Sequence, residues 1–233
     1  MSHPRRQHLA LAALLAAACG TTGAEPFIYP ATVTGAGASF PIGDWQVTLT
    51  RAELALGPIY LCATAAASPD LCAVARGEFT DVAVIDLLAA TPQPLGDIDA
   101  LAGDVRSAML DYGISWFTTQ TSATPGSELG HSAHLTGTAT QGDLVLDFDA
   151  LIDVVPPLRG SPALVGVRAR VDAPDEHSRL QLRINPGAWL LGVDFDALAA
   201  QGPSIEIRPG DAAHAAIAFA LTTQPPAFSW TRE

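Results

Sequence analysis

His131 and His134, three residues apart, are by type the pair in this chain best suited to coordination chemistry. Imidazole nitrogens ligate zinc and copper, and Met109, His177 and His214 would complete a soft site for copper. On a strand, positions i and i+3 face opposite ways. Both rings therefore reach one ion only if a loop or bulge lies between them, and otherwise they are two exposed loop histidines. Four aspartates, Asp143, Asp147, Asp149 and Asp153, offer hard oxygen ligands. A calcium loop gathers its acids into a turn around glycine, whereas these are spread along a strand and read as a solvated sheet face. Ser115 and Ser132 lie in no Gly-x-Ser-x-Gly elbow, and no Gly-rich phosphate loop occurs. A non-enzymatic binding or structural role follows. Trp45, Trp116, Trp189 and Trp230 read as core or rim packing.

The compartment is written in the first twenty residues. Arg5 and Arg6 precede an apolar run, Leu9 to Ala18, that ends in small residues at Cys19. Charge, short apolar core and small residues in that order make residues 1–18 a secretory signal peptide, too short to span a bilayer. Because a cysteine follows the small residues directly, the stretch resembles a bacterial lipoprotein signal. That resemblance implies a mature chain starting at a lipid-modified Cys19 and held at the membrane by more than one acyl chain. Gly20, rather than Asp, after the cysteine is compatible in such Gram-negative lipoproteins with sorting to the outer membrane, facing the periplasm or the cell surface. Cleavage after Ala18 without lipidation would instead leave a soluble secreted protein. With Cys19 acylated, Cys62 and Cys72 remain as a pair in an oxidising compartment. A disulfide between them would pin a loop of small residues and Pro69, worth about 3 kcal/mol.

The formal net charge is −12, and all 12 basic residues are arginine. Loss of the signal takes Arg5 and Arg6 with it, leaving about −14. Such a chain repels nucleic acid. Its remaining length suits one large all-β domain.

Residues 19–43 read as the lipidated cysteine, a tether and an edge segment, and 44–233 as a single β-sandwich domain. Trp45, Val47 and Leu49 alternate with polar residues before the parity slips, which predicts a bulge near Arg51-Ala52. Glu78 to Leu88 reads as a strand, and Val105 to Thr119, with the densest aromatics, as a central one. A hairpin turns at Gln141-Gly142. Its second strand points Leu144, Leu146, Phe148, Ala150, Ile152 and Val154 one way and the aspartates the other, the mark of an antiparallel sheet over a core. Arg168, Arg170 and Arg183, facing out from later strands, are expected opposite those aspartates. Trp189 to Leu191 could extend a strand, and residues 211–222 fit helix and strand alike. Asp-Phe-Asp-Ala-Leu occurs twice, at 147–151 and 194–198, which reads as coincidence in an Ala/Asp/Leu-rich chain, with a duplicated half-domain as the alternative.

The expected fold is all-β, an antiparallel β-sandwich with a β-barrel as the alternative and one or two short helical turns. A strand leading into Tyr112-Gly113-Ile114, then a loop and His131 to Gly137 entering the next strand, resembles the methanobactin-associated periplasmic copper-binding family over Trp45 to Leu198. That resemblance implies copper as ligand, with His131 and His134 as its ligands. The expected function is thus a lipid-anchored, exported module without cofactor, and a periplasmic copper or metal binder is the alternative.

Overall fold

The computed structural model describes residues 24–65, 72 and 75–233. The signal at 1–18, Cys19 and most of the loop between Cys62 and Cys72 lie outside the described residues.

Alternating apolar and polar residues build two sheets around one core. The larger contains β1 (Pro26–Gly35), β4 (Ile59–Cys62), β5 (Ala75–Phe79), β7 (Gln93–Leu101), β8 (Val105–Leu110), β13 (Leu164–Val171), β14 (Ser178–Ile184) and β16 (Ala227–Arg232), in the order β13-β8-β4-β5-β7-β1-β14-β16. Its two edge strands, β13 and β16, lie against each other, so the sheet curls almost into a barrel. The smaller runs β15 (Ser204–Ile207), β12 (Leu144–Ile152), β11 (Ala133–Gln141), β3 (Trp45–Leu56) and β2 (Ser39–Ile42), with β6 (Ala83–Asp86) paired to the far part of β3. Side chains from both inner faces, among them Leu54, Leu61, Ile98, Leu135 and Leu180, form one continuous apolar cluster. The all-β sandwich expectation therefore stands, with the barrel tendency confined to one sheet.

Strand direction differs from expectation. β1 runs parallel to β14, and β12 parallel to β15, so both sheets are mixed. Periodicity reports which face of a strand is buried and carries no information about the direction of its neighbour. Residues 26–35, read from the sequence as part of a tether and edge segment, form β1 between β7 and β14, with Tyr29 and Val33 fully buried. β2 does lie at an edge.

The bulge in β3 falls one residue from its predicted place. Thr136 pairs Arg51 while Gly137 pairs Leu49, which leaves Thr50 as the extra residue. That insertion is what keeps both Leu49 and Ala52 buried. The hairpin of β11 and β12 forms but turns one residue later than read, at Gly142-Asp143, with Gln141 opposite Leu144, and Leu144 is exposed where the alternation had placed it on the buried side. Glu78 to Leu88 is broken into β5 and β6, which belong to different sheets. β13 and β14 lie in the larger sheet and the aspartates of β12 in the smaller, so Arg168, Arg170 and Arg183 do not face them. Ion pairs form elsewhere, as between Arg179 and Glu233 at 2.8 Å.

Among the described residues there are three short helices. α1 (Pro186–Trp189) begins at Asn185, whose side chain accepts from the Gly187 N–H, and takes Trp189 out of the expected strand. α2 (Phe195–Ala199) is capped by Asp194, which accepts from the Ala197 N–H at 2.9 Å. The repeated pentapeptide thus has two structures, strand at 147–151 and capped helix at 194–198. α3 (Ala212–Thr223) settles the ambiguous segment. It buries Ala213, Ile217, Ala220 and Leu221 at helical spacing and leaves Phe219 69% exposed, where a strand would have buried it with Ile217 and Leu221.

Candidate functional site

In the larger sheet, Tyr60 of β4 sits opposite Met109 of β8, and Cys62 opposite Ser107. Ile59 and Leu61 are fully buried in the core, so Tyr60 and Cys62 project from the outer face. That face would ordinarily be wet. Here the Cys62–Cys72 disulfide, with its Cα atoms 5.2 Å apart, brings Cys72 over it. Cys62, Cys72, Ala75 and Met109 become a small apolar cluster separate from the main core, with Tyr60 packed against it. The expected disulfide is thus formed, and it turns part of an outer face into an interior.

Beside this cluster opens a cavity of about 280 Å³ whose wall includes Tyr60, Cys72, Met109, Asp111, Trp116 and Phe117. Asp111 is placed by the backbone that continues β8. Its N–H donates to the Pro58 carbonyl at 3.1 Å, and its own carbonyl accepts from the Gly57 N–H at 3.0 Å. The chain then turns at Gly113, whose φ of +69° and nearness to Ala55 exclude a side chain, since a Cβ would lie 2.4 Å from the Ala55 Cβ. The turn leads into β9 (Ile114–Ser115), paired with β10 (Thr124–Pro125), and returns Ser115 toward Asp111. The opposite wall is held at Gly160, with a φ of +84°, whose N–H donates to the Trp116 carbonyl at 2.6 Å.

Asp111 is only 6% exposed. Its Oδ1 accepts from the Ala163 N–H at 2.6 Å and its Oδ2 from the Ser115 hydroxyl at 2.9 Å. Burial pushes the carboxyl up to about 6, against the opposing pull of those two hydrogen bonds. The Tyr60 phenol is also raised, first by burial and then by the negative charges of Glu78 and Asp111. The Trp116 indole N–H is buried and finds no acceptor among the described residues. The Ser115 hydroxyl is held as a donor to the Asp111 carboxyl. The arrangement is suited to binding: one ionisable oxygen pair at the end of an aromatic and thioether-lined cavity.

No family model, no curated protein and no solved structure matches the chain. The site is therefore read from its own chemistry.

The two histidines singled out from sequence lie elsewhere and engage different carboxylates. His131 Nδ1 meets Asp153 Oδ1 at 2.9 Å. His134, on β11, bridges Arg51 through Nδ1 at 3.1 Å and Asp149 through Nε2 at 2.8 Å. His214 on α3 accepts from the Asp153 backbone N–H at 3.3 Å, so it and His131 converge on one aspartate. His177 is exposed beside Glu176. Met109 lines the cavity, and none of these four histidines does. Among the described residues no group of three or more His, Cys, Asp or Glu is disposed to hold a metal ion. Asp147 and Asp149 line the exposed face of the smaller sheet, where Asp147 accepts from the Thr138 hydroxyl at 2.8 Å, and Asp143 lies in the hairpin turn. Ser132 is fully buried and accepts from the Val154 N–H at 3.0 Å.

The tryptophans are scattered. Trp45 donates to Asp196 at 3.0 Å, Trp189 is buried in the core, and Trp230 meets Tyr29 edge-on at 5.4 Å between ring centres. Only Trp116 reaches the cavity. Sequence reasoning named Met109, Ser115, Trp116 and the cysteines but did not join them, and it passed over Asp111 and Tyr60. The one available signal was an acid directly after a run of strand, Val105 to Leu110, inside the densest aromatic cluster.

Proposed function

We propose that this chain is exported, held at a membrane through an acylated Cys19, and acts as a non-enzymatic binding module whose ligand enters the Asp111 cavity. The observation that carries the binding role is a buried carboxyl in a largely apolar cavity, hydrogen-bonded only by neutral donors. Such a group is costly to maintain, and its cost is offset when a ligand supplies the missing partner. The anchoring rests on the order of charge, apolar core, small residues and cysteine at the start of the chain.

Two measurements test the two halves. Labelled palmitate should enter the wild-type protein and fail to enter Cys19→Ser, which should move from the membrane to the soluble fraction. Label retained by Cys19→Ser, or an intact leader on a cytosolic protein, overturns the anchoring. A small-molecule screen by thermal shift should return hits that lose their effect in Trp116→Leu. Hits indifferent to that change overturn the assignment of the cavity.

A further inference from the structure

We propose that the ligand of this cavity is a small organic ammonium ion, its charged head against the Asp111 carboxylate and its body among Tyr60, Trp116 and Met109. The inference rests on the reading of the cavity as a ligand site and adds the chemical class.

Three observations lead there. First, Asp111 is the only acid or base, phenol aside, among the described residues of the cavity wall. An ionised carboxylate has about four lone-pair positions, and two are taken, by Ala163 and Ser115. A cation is what its environment lacks; an anionic ligand would bury a second negative charge beside the first. Second, Tyr60, Trp116 and Phe117 offer aromatic faces, which attract alkylammonium groups, and Met109 offers a polarisable thioether. Third, Glu78 pairs across the strands with Tyr60 and adds negative potential beside the cavity, in a chain of net charge −12.

Bare metal cations fit poorly. Calcium takes about six to eight oxygen ligands and magnesium demands near-octahedral oxygen, whereas this wall is mostly carbon and sulfur. An ammonium carrying carbon substituents is weakly hydrated and gains from that same wall. The volume, about 280 Å³, is at the small end for ligand pockets and suits a head group of a few heavy atoms, such as an amino alcohol.

The probes are choline and its uncharged carbon analogue, 3,3-dimethylbutan-1-ol, titrated calorimetrically into the full detergent-solubilised chain. Choline should bind at least about tenfold more tightly than the analogue at pH 7.5. Its affinity should fall by up to about tenfold per pH unit below pH 6, as the Asp111 carboxyl takes up a proton. The other titratable groups facing that carboxyl among the described residues are Tyr60 on β4 and, behind it, Glu78 on β5; residues 114–118 and 160–163 bring none. Asp111→Asn should lose the preference for choline and its pH dependence while melting cooperatively. Trp116→Leu should weaken binding and keep the pH dependence.

Equal binding of choline and the analogue overturns the ammonium assignment and leaves the cavity as a site for neutral ligands. Failure of choline together with primary and secondary amines overturns it as well, and the thermal-shift screen then decides whether the cavity binds anything. Binding unchanged in both Asp111→Asn and Trp116→Leu places the ammonium elsewhere and overturns the proposal. Glycerophosphocholine separates the sources: binding as tight as choline assigns a lipid head group, and weaker binding a free amine.

Discussion

Asp111 and Asp149 are the same chemical group on the outer faces of two packed sheets, and they live in different solvents. The Asp149 side chain is 53% exposed and takes a hydrogen bond from His134, whose other nitrogen accepts from Arg51. Each member of that chain retains water on one side, so no single contact carries much free energy. Asp111 is 6% exposed and relies on two neutral donors. The difference arises above the sheets. The disulfide and residues 111–118 and 160–163 cover one patch of the larger sheet, while nothing comparable among the described residues covers the face carrying Asp149. A group acquires unusual chemistry here through what is laid over its strand.

The sharpest way to break this contrast is to disturb the cover. Gly113→Val puts a branched side chain where φ is +69° and the Ala55 Cβ is already too close. A loss of about 4 kcal/mol in denaturant unfolding is expected, strain and overpacking together. A loss below about 1 kcal/mol would show that the turn is free to rearrange and does not hold Ser115 against Asp111. Replacing both Cys62 and Cys72 by Ala should cost somewhat less, about 3 kcal/mol, for a loop with a sequence separation of 10. It should also expose Met109, readable as faster oxidation of its thioether by peroxide. Unchanged Met109 protection would mean that the strands bury it without the bridge.

Asp111 itself gives an effect of opposite sign. Its folded-state value of about 6 lies above the ordinary 3.8, so folding favours the protonated form. That contribution is fully present below about pH 4, declines as the pH rises toward 6, and is lost above it. At pH 7.5 the ionised carboxylate therefore costs the native state about 2 to 3 kcal/mol relative to a neutral group. Asp111→Asn keeps an acceptor for the Ala163 N–H and should be more stable than wild type by about 2 kcal/mol at pH 7.5. The two proteins should melt together near pH 4. A variant that is less stable at both pH values would show that hydrogen bonding, and not desolvation, dominates at this residue.

How much of this was visible in the sequence follows the same divide. Wherever one face of a strand is buried and the other wet, period two is exposed to view: the β11–β12 hairpin, the slip in β3 and the solvated aspartates were all legible. The Cys62–Cys72 pair was legible from two cysteines close in sequence and the expectation of an oxidising compartment. Periodicity fails where both faces are covered. Around Asp111 the inner residues Ala108 and Leu110 and the outer residues Ser107 and Met109 are all buried, so the segment reads as one apolar run. One of the two partners of Asp111, Ala163, lies far along the chain, and no local pattern announces it. His131 and His134 drew notice through residue type alone. Type carries no information about the carboxylate each ring meets, and register gives one Asp153 and the other Asp149.

The smallest effect is expected on the open face, and it is the control for everything above. Asp149→Asn removes the charge that His134 and Arg51 share but leaves an acceptor in place, with water able to replace what is lost. Its stability change should stay within about 0.5 kcal/mol between pH 5 and pH 8, and should shrink further in high salt, where exposed charges are screened. The double-mutant cycle with His134→Ala should give a coupling of the same small size. A coupling above about 1.5 kcal/mol would mean that the Arg51–His134–Asp149 chain is shielded from solvent as Asp111 is. In that case the contrast between the two faces would fail at its wet end, and the smaller sheet would need a cover of its own.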